Sequence, residues 1–225
     1  MSPKRIIFGT PSIGDEEIEE VIDTLRSGWI GTGPRVARFE REFAAYKRSP
    51  YAVAVNSCTA ALHLSLVAAG VGEGDEVITT PLTFCATVNA IIHAGARPVL
   101  ADVDPRTMNI DPEQIERKLT PRTKALLPVH FAGLPCEMDA IGGIAKQHNL
   151  KVIEDCAHAI ETEYRGQPAG CIGDFGCFSF YPNKNMTTGE GGIILTRSEA
   201  DAGRLRSLAL HGMSKDAWKR FIDPR

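Results

Sequence analysis

The sequence predicts an α/β fold with a mainly parallel sheet sandwiched by helices. From Tyr51 onward, short apolar segments alternate with helical segments, which is the order of βαβ units. Those apolar segments are continuous rather than alternating, so helices are expected to cover both faces of the sheet. The chain of 225 residues, with 43% hydrophobic and 24% charged residues, has the composition of a globular protein with a sizeable core.

Residues 1–50 are expected to form an N-terminal helical segment. Apolar residues recur at helical spacing from Ile18 to Leu25, behind an acidic group at 15–17 that favours a helix N-terminus. A glycine-rich break follows at 28–34. Helical spacing then resumes from Val36 to Lys47. Two amphipathic helices are therefore predicted ahead of the sheet.

The remaining elements, in residues 51–211, are predicted from apolar runs, turn residues and helical spacing. The predicted strands are Tyr51–Val55, Glu76–Thr79, Pro98–Val103, Lys124–Val129, Lys151–Glu154, Gly176–Tyr181 and Gly192–Thr196. The predicted helices are Ala60–Ala69, Phe84–Ala94, Pro112–Leu119, Met138–His148 and Glu199–His211.

Charge and cysteine usage exclude several classes of protein. The formal net charge is −3, which gives no electrostatic basis for binding nucleic acid or an anionic membrane. We expect no membrane span and no signal peptide, because the apolar runs are short. Six scattered cysteines without a C-x-x-C pair indicate reduced thiols and a cytoplasmic protein. No metal site is expected.

Ligands of parallel α/β sheets bind at the carboxyl ends of the strands. At those ends the sequence places hydroxyl, aromatic, imidazole, carboxylate and amine groups. They belong to Ser57, Thr59, Phe84, His130, Asp155, His158, Ser179 and Lys184. We expect these groups to share one rim of the sheet and to form a binding site there.

Two of these features have alternative interpretations. The polar turn at 56–61 opens into a helix whose free N–H groups attract phosphate, but Ser57 or Thr59 could simply be an N-cap. Asp155 follows an apolar strand, and a buried carboxylate needs partners. A protonated ring nitrogen of a cofactor would serve, and so would N–H groups of the following segment.

Lys184 lies between an apolar strand and the glycine-rich segment 189–192. Most lysines are solvated, but these flanks favour an amine that is drawn inward and able to form a Schiff base. A lysine, a carboxylate, an aromatic ring and a phosphate-binding helix terminus are together what pyridoxal 5'-phosphate requires.

Seven short sequence motifs, spread over nearly the whole chain, carry a resemblance to a known family. The most specific is FSFYPNKNMTTGEGG at 178–192, and the others are 27–34, 56–64, 74–87, 101–105, 128–130 and 152–158. Together they resemble the sugar-nucleotide aminotransferases of the DegT/DnrJ/StrS family, a branch of the type I pyridoxal-phosphate enzymes. The resemblance implies that 51–211 is the large cofactor-binding domain of that fold. It also implies that 212–225 begins a C-terminal region that is truncated here.

Matching positions imply roles for four side chains. Lys184 resembles the catalytic lysine that binds the cofactor covalently, and Asp155 resembles the acid that keeps the pyridine nitrogen protonated. His158 resembles the residue beside the phenolic oxygen of the cofactor. Phe84 resembles the residue that stacks on the ring.

Two further groups follow from the same resemblance. Thr59, the backbone of Ala60 and Ser179 are expected to bind the cofactor phosphate. The turn formed by Ile30, Gly31, Thr32 and Gly33 resembles a stretch that reaches the substrate.

The implied activity is transfer of an amino group, usually from glutamate, to a nucleotide-linked keto sugar in amino-sugar and polysaccharide biosynthesis. Lysine at 184 favours transamination over the dehydratases of the family, which have histidine there. A homodimer with a shared active site is expected as well. The alternative is a catalytically incomplete cofactor-binding fragment with a regulatory or interaction role.

Overall fold

A computed structural model describes residues 9–213 of the chain. The helices are α1 (Asp15–Arg26), α2 (Pro34–Tyr46), α3 (Cys58–Ala68), α4 (Cys85–His93), α5 (Pro112–Lys118), α6 (Met138–His148) and α7 (Glu199–Ala209), with a 3₁₀ turn at Phe131–Gly133. The strands are β1 (Tyr51–Val55), β2 (Glu76–Thr79), β3 (Arg97–Leu100), β4 (Thr123–Leu127), β5 (Lys151–Asp155), β6 (Glu163–Tyr164), β7 (Gln167–Pro168), β8 (Phe175–Ser179) and β9 (Gly192–Thr196).

Seven strands form the central sheet, in the order β1-β9-β8-β5-β4-β2-β3. The strands from β8 to β3 in that order pair in parallel. β9 is antiparallel to both of its neighbours, β1 and β8, so it is the reversed strand of this sheet. The prediction of an α/β fold with a mainly parallel sheet is confirmed.

Helices cover both faces of the sheet, as the continuous apolar strands predicted. Successive residues of a strand point to opposite faces. Leu126 of β4 packs in the same core group as Ile141 of α6, whereas Leu127 packs in the group that contains Leu62 of α3. Both leucines are fully buried, which explains why this strand is apolar at consecutive positions.

The strand ends differ from the predictions. β3, β4 and β8 each begin one residue before the predicted start. They also end two or three residues before the predicted end, at Leu100, Leu127 and Ser179. Past β3 and β4, pairing resumes only as isolated bridges, from Val103 to Ile110 and from Val129 to Asp155. Past β8, the rim is itself packed, since Phe180 is 1% exposed and its ring contacts Phe39 and Phe43. The hairpin of β6 and β7 was not predicted, since two-residue strands show no periodicity.

The predicted first helix forms, but its apolar face is not covered by the described residues. α1 contains no buried residue, and Ile18, Val21 and Leu25 are 48%, 60% and 63% exposed. Ion pairs from Arg35 and Arg38 to Glu20 join α1 to α2. An exposed apolar face of this kind is typical of a surface that another segment or chain covers.

Within residues 9–213, no helix has the length and apolar character needed to cross a membrane. All six cysteines are free thiols.

Glu76 lies at the amino end of β2, at the edge of the sheet opposite to the predicted site. Its side chain is 1% exposed, and it accepts hydrogen bonds from Thr120 Oγ1 at 2.6 Å, Arg122 Nη2 at 2.6 Å and Arg97 Nη2 at 2.7 Å. The bond from Thr120, with those from the two arginines, lowers the pKa of Glu76 to about 2.

Glu76 should therefore contribute to the acid stability of the fold. Because its folded pKa is depressed, its contribution is complete above the ordinary value of about 4.5 and is lost as the pH falls towards 2. Glu76→Gln should lower the urea midpoint at neutral pH and flatten its fall between these two pH values. Urea unfolding across this range measures the effect, with the exposed Glu73→Gln as control. If the urea midpoint fell equally steeply with pH in Glu76→Gln and in the parent protein, Glu76 would not be the source of this acid stability.

Candidate active site

The strand register aligns the carboxyl ends that carry the predicted groups. Val55 and Ser179, the last residues of β1 and β8, both pair with Gly192, the first residue of β9. Asp155, the last residue of β5, pairs with Cys177 of β8. The loops that follow β1, β5 and β8 therefore leave the sheet along one rim.

The turn after β1 opens into the N-terminus of α3. α3 begins at Cys58, and its N-cap is Ser57, whose Oγ accepts a hydrogen bond from the Ala60 N–H at 3.1 Å. The capping role left open by the sequence thus belongs to Ser57 and not to Thr59. Helix geometry leaves the N–H groups of Cys58 and Thr59 without carbonyl partners inside α3. These groups and the positive end of the helix dipole favour an anion.

The Ala60 N–H and the Cys58 thiol affect how the N-terminus of α3 can hold an anion. The Ala60 N–H, which was expected to bind phosphate, already donates to the Ser57 cap. Burial raises the pKa of the Cys58 thiol well above its usual value, so the thiol stays neutral and does not repel an anion.

Gly192 lets the strand β9 lie directly against this turn. A Cβ at Gly192 would come within 2.4 Å of the Ser57 carbonyl carbon and 2.7 Å of the Cys58 nitrogen, so any side chain would displace the turn. Ser179 pairs with Gly192 and is 6% exposed. Its Oγ accepts from the Tyr181 N–H at 3.4 Å, which leaves the hydroxyl hydrogen available for an anion.

Asp155 is a buried carboxylate with two fixed donors. It is 4% exposed; its Oδ2 accepts from Thr87 Oγ1 at 2.8 Å, and its Oδ1 accepts from the Ala157 N–H at 3.1 Å. Burial raises the pKa of Asp155, and the two hydrogen bonds and the nearby His130 and His158 oppose that rise. Each oxygen retains a lone pair, so the carboxylate can cap its own loop and still accept from a ligand.

Lys184 lies in the loop between β8 and β9. Its backbone N–H donates to Tyr181 O at 2.9 Å, and its side chain is half-buried. Burial, followed by the positive charge of Lys184, lowers the pKa of His158, while Asp155 raises it. The charges of Lys184 and Asp155 therefore both act on His158, and His158 is favoured in its neutral form.

The other predicted residues lie at the periphery. Phe84 is the N-cap of α4, and its ring is 75% exposed, so it is available to cover a planar ligand. The turn Ile30–Gly33 is held by its own contacts, with Trp29 Nε1 donating to Thr32 O at 3.1 Å. In the described chain, no hydrogen bond or ion pair joins this turn to Asp155, His158 or Lys184. Its substrate role stays a prediction.

Sequence reasoning missed two supporting residues, Thr87 and Glu154. Thr83 and Thr87, spaced i, i+4 at the start of a helix, were the available signal for the first. Glu154 precedes Asp155 and therefore faces the opposite side of the sheet. Its carboxylate accepts from His130 Nε2 at 3.0 Å and from the N–H groups of Gly170, Ile172 and Gly173.

The side chains of His130, Glu154 and Cys156 place potential metal-ligand atoms within 4.8 Å of one another. The Glu154 oxygens already accept four hydrogen bonds, and His130 Nδ1 accepts from the Cys136 N–H at 3.1 Å. These engaged atoms favour a structural network that holds the end of β5, rather than a metal centre.

The sheet is mainly parallel with one reversed strand, and its carboxyl rim carries a lysine, a buried carboxylate and a helix N-terminus. These features define an α/β protein with the fold of the type I aminotransferases, which the solved relatives share. The family model for the DegT/DnrJ/EryC1/StrS aminotransferase family matches residues 11–224. The chain belongs to this family.

Individual proteins show the same similarity. The chain is 57% identical over 214 residues to the spore coat polysaccharide biosynthesis protein SpsC of Bacillus subtilis (strain 168), covering 95% of this chain and 55% of SpsC. Spr1654 from Streptococcus pneumoniae in its PMP form has a TM-score of 0.89 and 39% identity, covering 95% of this chain and 59% of that one. DesI in the presence of its TDP-sugar product has a TM-score of 0.88 and 37% identity, with 94% and 54% covered. The chain thus spans just over half the length of each.

Proposed function

We propose that this chain binds pyridoxal 5'-phosphate on the carboxyl rim and transfers an amino group from glutamate to a nucleotide-linked keto sugar. The observation that carries the proposal is the buried Asp155 carboxylate, oriented by two donors, on the same rim as Lys184 and the N-terminus of α3. The PMP form of Spr1654, the TDP-sugar product of DesI and the polysaccharide role of SpsC support it.

The donor set fits this cofactor. The N–H groups at the start of α3, with the Thr59 and Ser179 hydroxyls, suit a phosphate. Asp155 can accept the hydrogen of a protonated ring nitrogen, and the exposed Phe84 ring can cover one face of the pyridine. Lys184 supplies the amine for the aldehyde. When bound, the cofactor supplies an electron-withdrawing ring that stabilises negative charge on the substrate carbon beside the nitrogen.

Three residues of the chain have distinct roles in the proposed reaction. Lys184 Nζ removes the proton from the α-carbon of the amino donor and later returns a proton to the acceptor carbon, as a general base and acid. Asp155 stays ionised and holds a proton on the ring nitrogen. His158, neutral at physiological pH, can donate one hydrogen bond without adding charge beside Lys184.

The proposal extends to the surroundings of the rim. The exposed turn Ile30–Gly33 would contact the sugar-nucleotide, and residues 51–211 would form the large cofactor-binding domain. Residues 1–50 would be the helical segment ahead of it, and 212–225, most of which lie outside the described residues, would begin the C-terminal region. A cytoplasmic homodimer with a shared active site completes the proposal.

The glutamate half-reaction tests the function without knowledge of the sugar. The purified chain, loaded with pyridoxal phosphate and given glutamate alone, should release about one equivalent of 2-oxoglutarate per bound cofactor. Adding a panel of nucleotide-linked keto sugars should make the release catalytic with the correct acceptor. A chain that fails to bind the cofactor would reject the proposal.

Cofactor binding without 2-oxoglutarate release would favour the second candidate, a cofactor-binding fragment with a regulatory or interaction role. The uncovered apolar face of α1 suits a partner surface under either candidate, so release of 2-oxoglutarate is the measurement that distinguishes them.

A further inference from the structure

We propose that Thr87 is a positioning residue which, supported by Thr83, aims the Asp155 carboxylate and keeps it ionised. The inference rests on the proposed function for its catalytic consequence. Its structural part concerns the chain alone and can be measured without cofactor.

A chain of two hydroxyls leads to Asp155. Thr87, in the first turn of α4, is fully buried, and its Oγ1 lies 2.8 Å from Asp155 Oδ2 and 2.6 Å from Thr83 Oγ1. An ionised carboxylate only accepts, so Thr87 donates its single hydrogen to Asp155. Thr83 must then donate to Thr87, and a donor chain of this kind polarises each successive bond towards the carboxylate.

The Thr87 hydroxyl provides one of the two hydrogen bonds described for the Asp155 carboxylate. A buried charge that loses a donor becomes less stable than its protonated form, because little solvent replaces the lost bond. The titratable groups that surround the carboxylate are unchanged by a substitution at Thr87. They are Cys58 on α3, Cys177 on β8, His130 after β4 and His158 after β5, with Lys184 acting in turn on His158.

Thr87→Val tests the inference, because valine keeps the shape of threonine and removes the hydroxyl. In cofactor-free protein, the pKa of Asp155, followed by carbon NMR of its carboxyl group, should rise by about one unit or more. In the loaded protein, kcat should fall about tenfold. The acid limb of its pH profile should move upward by about one pH unit, the same shift as that of the Asp155 pKa. Thr87→Ser, which restores a hydroxyl, should reverse both changes.

The chain offers a matched control in Thr79. It is also fully buried, and its Oγ1 donates to Leu127 O at 2.8 Å, a hydrogen bond that does not involve the site. Thr79→Val should lower thermal stability to a similar extent, with the pKa of Asp155 and the pH profile unchanged. This separates a lost buried hydrogen bond from a lost positioning contact.

The outcomes separate the inference from the proposed function. An Asp155 pKa that is the same in Thr87→Val and in the parent protein overturns the inference, whatever the enzyme assays show. A parent protein that does not bind pyridoxal phosphate overturns the function, while the cofactor-free titration still decides the role of Thr87. If Thr87→Val does not fold, Thr83→Val replaces it, with a smaller upward shift expected and no shift counting against the inference.

Discussion

Replacing Lys184 with alanine is expected to abolish amino transfer and covalent attachment of pyridoxal phosphate. The substitution removes both the amine that bonds the aldehyde and the group that moves the proton. Because a positioned acid or base contributes about 10²–10⁴ in rate, turnover should fall by at least that factor. The fold should be unaffected, since the hydrogen bond from Lys184 to Tyr181 O uses the backbone.

Borohydride reduction followed by peptide mass spectrometry measures the first effect. The parent protein should carry the reduced cofactor on a peptide containing Lys184, and Lys184→Ala should carry none. Lys146→Ala, an exposed lysine of α6, is the matched control and should label like the parent. Label trapped at another lysine in Lys184→Ala would show that the assignment of the amine is wrong.

Asp155→Asn is expected to uncouple activity from stability. A neutral amide cannot hold a positive charge on the ring nitrogen, so the rate of the glutamate half-reaction should fall by about 10²-fold or more. The thermal stability of the fold should rise or stay unchanged, because burial already disfavours the ionised carboxylate. The Thr87 hydroxyl can turn to accept from the new amide, which keeps the buried polar atoms paired.

Thermal unfolding and the half-reaction rate, measured on the same preparations, check this prediction. Asp174→Asn is the control, because Asp174 accepts from Lys151 Nζ and the Val152 N–H at the other end of β5. This control should keep the half-reaction rate and lose some stability. A large loss of stability in Asp155→Asn, with the rate per bound cofactor retained, would contradict the assigned role.

Local sequence pattern predicted most of the fold because the physics behind it is local. The strands Tyr51–Val55, Glu76–Thr79 and Gly192–Thr196 and the helix Met138–His148 were predicted with the observed ends. In each case, burial on one or both faces fixes where apolar residues recur. The carboxyl ends of β3, β4 and β8 could not be predicted, since residues past them, such as Val129 and Phe180, stay buried although the continuous ladder has ended.

The sequence likewise predicted part of the candidate site, and the rest depended on the tertiary structure. The placement of Asp155, Ser179 and Lys184 after strands predicted a shared rim, because parallel strands end on the same edge. Which groups engage one another depended on three-dimensional packing. The choice of Ser57 as cap is decided by the geometry of the first turn of α3, and the bond from Thr87 to Asp155 joins residues on different elements.

The sequence by itself determined the class of fold, the family and the rim on which the polar residues gather, because periodicity and short motifs record burial and local backbone geometry. The tertiary structure decided which donors hold Asp155, which groups pair with Glu154, and that α1 presents an apolar face that the described residues leave uncovered. These features depend on contacts between segments far apart in the chain, and a pattern of neighbouring residues carries no record of such contacts.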